Sequence, residues 1–213
     1  LILVQQKQIW DMKKVLTFSI AVFSLVAVLL QFDLMLANRT FSVFETTVRF
    51  FSYFTILTNS LVAVYFSYLA YKRYKHHTFS PQDFGILTAI TVYITIVGLV
   101  YQVLLRHTWS PAGLQKLVDE MLHSVNPVLV VIYWFMNKNG SVLNYKQLGS
   151  WLIYPLVYLV YVLIRGHFSG FYPYPFLDVT NLGYQNVVIN SIGMTLFFVS
   201  VSALFVRITK LRN

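Results

Sequence analysis

The sequence predicts an all-α, polytopic membrane protein of six transmembrane helices with both termini in the cytoplasm, and three observations point there. Hydrophobic residues make up 57% of the 213 residues and charged residues only 11%, whereas a soluble domain carries about a quarter charged residues. Such a chain cannot cover a water-facing surface. Six stretches reach the roughly 20 apolar residues that a spanning helix needs. Finally, the cations are divided unevenly among the segments between those stretches, which is the signature of membrane orientation. A single six-helix domain over 1–213 is expected, because the longest connection, 166–183, is too short to form a domain of its own.

The first helix is expected at 15–36. Met12, Lys13 and Lys14 precede it as they would in a signal peptide, but the apolar run is too long for a signal h-region. Met35 is also too large for a small-x-small cleavage site before Asn38. It reads as a retained helix, with Met12 the expected natural start and residues 1–11 upstream of it. The second helix, 47–71, carries Ser52, Thr55 and Asn59 at spacings of three and four. The third, 84–105, aligns Thr88, Thr91, Thr95, Gly98 and Gln102 on one face. The fourth, 119–136, holds His123 and Asn126 followed by Pro127. The fifth, 148–165, sets Tyr154, Tyr158, Tyr161 and Arg165 at four, three and four. The sixth, 184–206, carries Asn186, Asn190 and Gly193.

Lysines and arginines fix the expected orientation. Lys7, Lys13, Lys14, Lys72, Arg73, Lys75, Lys138, Lys146, Arg207, Lys210 and Arg212 fall on the side of the termini; Arg39, Arg49, Arg106, Lys116 and Arg165 fall on the other. The positive-inside rule then places both termini in the cytoplasm. The net charge of +9 accordingly reports topology and contact with anionic lipid, and no nucleic-acid partner is expected. Zero cysteines exclude disulfides, thiolate nucleophiles, iron–sulfur clusters and Cys-ligated zinc.

Helical rise places the polar groups by depth. Thr55 lies about 12 Å and His123 about 6 Å below the outer ends of their helices. Gln102, Tyr158, Arg165, Asn186 and Asn190 reach the same level from other helices, which is the pattern of a polar cavity in the outer half of the bilayer. Ser, Thr and Asn also serve simply to join transmembrane helices, Tyr residues line membrane interfaces, and Arg165 can snorkel to the surface. His123 stands apart as the one histidine in an apolar segment, and intramembrane ionisable residues mark function by default. A lone membrane histidine cannot supply both axial ligands of a bis-His haem or a His-rich metal site, so no cofactor or metal is expected.

The available chemistry is nucleophilic. With no cysteine, Ser or Thr hydroxyls are the intramembrane nucleophiles and His123 the base that such a hydroxyl requires. Thr55 and Thr58 lie near its depth. Asn59, Gln102, Asn126, Arg165 and Asn190 are candidate donors to a developing oxyanion, and Tyr158 stands at the same level as a candidate substrate contact.

The run Ser52-Tyr53-Phe54-Thr55-Ile56-Leu57-Thr58-Asn59 resembles the second-helix motif of the Pr6Pr family of bacterial membrane proteins. Trp151-Leu152-Ile153-Tyr154-Pro155-Leu156-Val157-Tyr158, continuing through Arg165-Gly166 to Tyr172-Pro173-Tyr174-Pro175-Phe176-Leu177-Asp178, resembles that family's most distinctive segment. His123 with Pro127 four residues on fits as well. That family is similar in turn to the androgen-induced and androgen-dependent eukaryotic membrane proteins, threonine hydrolases that cleave fatty acid esters of hydroxy fatty acids. The resemblance implies a multi-pass protein of the bacterial plasma membrane, with membrane lipids as partners and a lipid ester as substrate. It also implies Thr55 as nucleophile and His123 as base. Thr58 lacks the preceding aromatic pair Tyr53-Phe54. One departure is that Tyr133 precedes Trp134 where the bacterial family often has an acidic residue. The other expectation kept open is a non-catalytic binder or transporter of lipids or small molecules, with Thr55 and His123 as lining groups.

Overall fold

The computed structural model describes residues 2–137 and 143–212, with side chains from Trp10 to Leu211 within those limits. Lys138 lies outside the described residues, as do the side chains of Lys7 and Arg212. Every extended element among the described residues is helical. In chain order these are α1 (Ile2–Ala37), α2 (Val43–Phe50), α3 (Phe54–Tyr74), α4 (Pro81–Val100), α5 (Gly113–Glu120), α6 (Asn126–Met136), α7 (Leu148–Ser169) and α8 (Val179–Arg212). Five helical stretches are long and apolar enough to cross a bilayer: Trp10–Ala37, Phe54–Tyr74, Pro81–Leu105, Tyr145–Ser169 and Val179–Leu211.

Local chemistry sets the helix ends. Ser80 and Asp83 form a reciprocal capping box at the start of α4, with Pro81 in the first turn, where its missing N–H costs nothing. Gly170 ends α7 in the left-handed conformation at φ 67°, which glycine adopts without a Cβ penalty. The Asp178 carboxylate accepts the Thr180 N–H at 2.9 Å, and the helix then bends at Gly183 (φ 74°), so its long straight part starts at the expected Tyr184.

The second helix departs from expectation. The continuous 47–71 rod is instead two elements, α2 and α3, parted at Phe51, Ser52 and Tyr53. Ser52 leaves the helical ladder because its polar groups find other partners: its Oγ donates to the Val48 carbonyl at 2.7 Å, and its carbonyl accepts the Tyr158 hydroxyl at 2.9 Å. The predicted fourth helix is α5 and α6 joined through a wider π turn, Met121–Val125. A matching π turn, Tyr101–Leu105, extends α4.

By internal packing the chain divides into two compact units. The first comprises Leu1–Thr40 and Thr55–Ser141, the second Phe41–Phe54 and Val142–Asn213. In the first, α6 packs against both α1 and α4 around the fully buried Leu87, Ile94, Val130, Tyr133 and Trp134. The Trp134 indole donates to Thr88 Oγ1 at 2.8 Å, and Lys72 pairs with Asp83 at 2.6 Å. In the second, α7 packs on α8, and the Phe54 ring meets Tyr154, Tyr158 and Phe198 at 4.9–5.8 Å.

Candidate functional site

The π turn around His123 follows from the residues themselves. Its closing bond runs from Asn126 N–H back to the Met121 carbonyl. A proline has no N–H to give, so Pro127 offers nothing to the carbonyls of Leu122 and His123 behind it. The Leu122 carbonyl is satisfied from another helix: Asn59 Nδ2 on α3 donates to it at 3.2 Å and to the Thr55 carbonyl at 2.9 Å. One amide nitrogen thus holds the Thr55 and Leu122 carbonyls within about 6 Å of each other, by ordinary hydrogen-bond lengths. The chain continues inward as Asn126 Nδ2 donates to Asn59 Oδ1 (2.6 Å) and Ser24 Oγ to Asn126 Oδ1 (2.9 Å). Gly98 on α4 lets this turn come close, since a Cβ there would sit 3.2 Å from the His123 carbonyl and from Pro127 Cβ.

His123 is held on both faces of the problem, tautomer and orientation. Its Nδ1 lies 2.9 Å from the backbone carbonyl of Asp119 and 3.2 Å from Asp119 Oδ1. A carbonyl oxygen only accepts, so Nδ1 carries a hydrogen, and in the neutral ring Nε2 is the atom with the lone pair. The other carboxylate oxygen, Asp119 Oδ2, accepts the Tyr101 hydroxyl. The Tyr101 ring stacks on the imidazole with centroids 4.2 Å apart. The side chains of His123 and Asp119 are 14% and 5% exposed, so this acid–base pair is largely shielded. Both members of the stack come from π turns, which recur at functional sites.

A second polar network adjoins it on the same turns. Gln102 Nε2 donates to Ser124 Oγ (2.8 Å), Ser124 Oγ donates to Glu120, and Arg106 binds Gln102 Oε1 and Glu120 Oε1 at 2.6 Å each. Gln102 therefore joins a closed network of its own. Asn59 has both amide hydrogens engaged, whereas Asn126 donates one of its two to Asn59. Thr55 is buried at 7% exposure.

The remaining expected site residues belong to the second unit, where each has local work. Tyr158 supports the Ser52 break, and Asn190 Nδ2 holds the Phe176 carbonyl of the loop at 3.0 Å. Arg165 pairs with Glu45 at 2.9 Å. Asp119 and Tyr101 were not among the expected site residues. Asp119 stands four residues before His123, an i, i+4 spacing visible in the sequence, but it lies at the expected start of the fourth helix. Comparison with family models, curated proteins and solved structures finds no match for this chain.

Proposed function

We propose that the protein is an intramembrane lipid-ester hydrolase in which Thr55 is the nucleophile and His123 the base, acting on esters of the fatty acid–hydroxy fatty acid type. The observation that carries this reading is the pinned Nδ1 of His123, which leaves Nε2 as the free base beside a buried carboxylate. In the reaction, His123 Nε2 takes the Thr55 hydroxyl proton as Oγ bonds to the ester carbonyl carbon. The tetrahedral intermediate expels the alcohol, which receives that proton, and an acyl-threonine remains. Water, deprotonated by the same Nε2, then releases the fatty acid and restores Thr55. Asp119 stabilises the transient imidazolium, and the second amide hydrogen of Asn126 is the donor nearest this turn for the oxyanion.

This reading takes six crossings, with 113–136 as the one beyond the five most apolar stretches, both termini cytoplasmic, and lipid reaching the site from the plasma membrane. It rests on the sequence resemblance together with the geometry at His123. Purified protein should hydrolyse such an ester, with Thr55→Ala and His123→Ala each slower by about 10³-fold or more, as for other paired nucleophile–base sites. Equal turnover by all three proteins overturns it, and loss in Thr58→Ala but not Thr55→Ala moves the nucleophile to Thr58.

A second reading, a non-catalytic lipid or small-molecule binder or transporter, draws support from the mutual satisfaction of Asn59, Asn126 and Ser24 and of Gln102, Ser124 and Glu120. It predicts no covalent adduct, so a fluorophosphonate label mapped to Thr55 by mass spectrometry separates the two.

A further inference from the structure

The second unit contains a cationic cluster that the hydrolase reading does not use. Glu45 and Arg49 stand one turn apart on α2, and Arg165 reaches the same carboxylate from α7: Arg49 Nε donates to Glu45 Oε1 at 2.7 Å and Arg165 Nη2 to the same atom at 2.9 Å. Two guanidinium groups thus share one carboxylate oxygen, leaving an excess positive charge. The Arg165 side chain is 10% exposed; its Nη1 donates to Ser169 Oγ at 3.3 Å and to the Phe171 carbonyl at 3.5 Å, and its Nε is buried without a hydrogen-bond partner. Arg49 makes no hydrogen bond through its two Nη groups to any described residue, so the forked edge of its guanidinium is open. That fork is also rigid, because its carbon sits 3.6 Å from the Phe41 ring centroid and 4.4 Å from that of Phe171, and Arg165 lies over the same Phe171 ring at 4.9 Å.

The surroundings name the anion. α2 has 8 residues, far short of the roughly 20 that cross a bilayer, and it buries Thr46 and Phe50 against the protein. In α2 and just beside it, Phe41, Val43, Phe44 and Phe51 are exposed, Phe44 at 78%. A short helix with exposed apolar side chains and arginines beside it has the composition of an interfacial element, its apolar side chains among acyl chains and its cations at the headgroup level. Guanidinium forks match phosphate oxygens in pairs.

We propose that the Arg49 fork binds the phosphate of a phospholipid headgroup, with Arg165 adding positive charge beside it and Phe41, Val43 and Phe44 seated among its acyl chains. The test is retention of dioleoylphosphatidylglycerol by the full-length protein in detergent, read by native mass spectrometry, with oleic acid and inorganic phosphate as separate arms. Wild type should retain one phospholipid, and millimolar inorganic phosphate should not displace it. Arg49→Ala should weaken retention by about tenfold or more, and Arg49→Lys should recover only part, since an ammonium lacks the fork. Phe44→Ser, which leaves the arginines untouched, should also weaken it. Unchanged retention in Arg49→Ala overturns the proposal. Should that variant fail to fold, unchanged retention in Arg49→Lys does the same. Displacement by inorganic phosphate, or retention of oleic acid in place of phospholipid, also overturns it, in favour of a free-anion or a carboxylate site. Ester hydrolysis measured on the same samples reports separately on Thr55 and His123.

Discussion

At the residue scale, the His123–Asp119 contact uses two acceptors of different kinds, and that difference sets what substitution does. In Asp119→Asn the backbone carbonyl at 2.9 Å from Nδ1 survives, so the imidazole keeps its tautomer. What disappears is the negative charge that would face the imidazolium of the proposed reaction. Where a buried aspartate alone sets the tautomer, the amide costs about 10⁴-fold; here kcat should fall by about 10²-fold, with KM nearly unchanged, since both Asp119 carboxylate oxygens are engaged by His123 and Tyr101. Steady-state kinetics on a soluble ester decide this, and a raised KM with intact kcat would contradict it. Tyr133 holds a buried cation. Its hydroxyl accepts Arg73 Nη2 at 3.1 Å and lies 2.9 Å from Thr17 Oγ1, so a phenol meets the buried guanidinium. Glu45 carries a pH dependence. Its hydrogen bond from Arg49, helped by Arg165, holds its carboxyl below the usual glutamate range. A depressed folded value means stability present above the ordinary value of about 4.3 and lost as pH falls through the lower folded value. Glu45→Gln should therefore melt below wild type at pH 7, and the gap should close as the pH falls below 4; a gap that persists in acid would contradict the assignment.

At the element scale, the α5–α6 junction works because three features coincide: a proline that frees carbonyls, an asparagine that binds one of them, and a glycine that makes room. Gly98→Ala would put a methyl 3.2 Å from the His123 carbonyl and 3.2–3.3 Å from the Pro127 ring. Neither a backbone oxygen nor a proline ring can swing aside, so the turn must move. The expected cost is about 1–3 kcal/mol, as for overpacking elsewhere, together with reduced ester hydrolysis because His123 sits on that turn. Denaturation in detergent and turnover on the same preparation test both. Much of this element level was legible beforehand. α7 starts at the expected Leu148, α4 starts at Pro81, three residues before the expected 84, and His123 stood out as an ionisable group in an apolar run. The break between α2 and α3 was not legible, because the Tyr158 hydroxyl that donates to the Ser52 carbonyl lies 106 residues away. Asn59 was chosen for its depth as an oxyanion donor, but its actual partner, a carbonyl freed by a proline on another helix, depends on tertiary approach. Arg49 went unremarked except as an outer-side cation, since nothing local shows that its fork stays open.

At the scale of the whole molecule, the number of crossings ties the charge distribution to the chemistry. The helix 113–136 is about 36 Å long at 1.5 Å per residue, enough to span, but it is the polar one, with Asp119, Glu120, His123 and Asn126 in one stretch. Those groups are bonded within the first unit rather than left to lipid: Asp119 to Tyr101 and His123, Glu120 to Arg106 and Ser124, Asn126 to Asn59 and Ser24. That removes most of the penalty that keeps polar helices out of bilayers. Crossing by 113–136 puts Lys146 back on the side of His77, opposite Trp109; a helix that does not cross leaves Lys146 on the side of Trp109 and the C-terminus opposite the N-terminus. With no native cysteine, single Cys replacements at Asp11, His77, Trp109, Lys146 and Lys210 can be labelled in oriented vesicles by a membrane-impermeant maleimide without background. Six crossings predict one labelling class for Asp11, His77, Lys146 and Lys210 and the other for Trp109. Lys146 labelling together with Trp109 would leave five crossings, and would place the His123 turn at a membrane surface instead of within it.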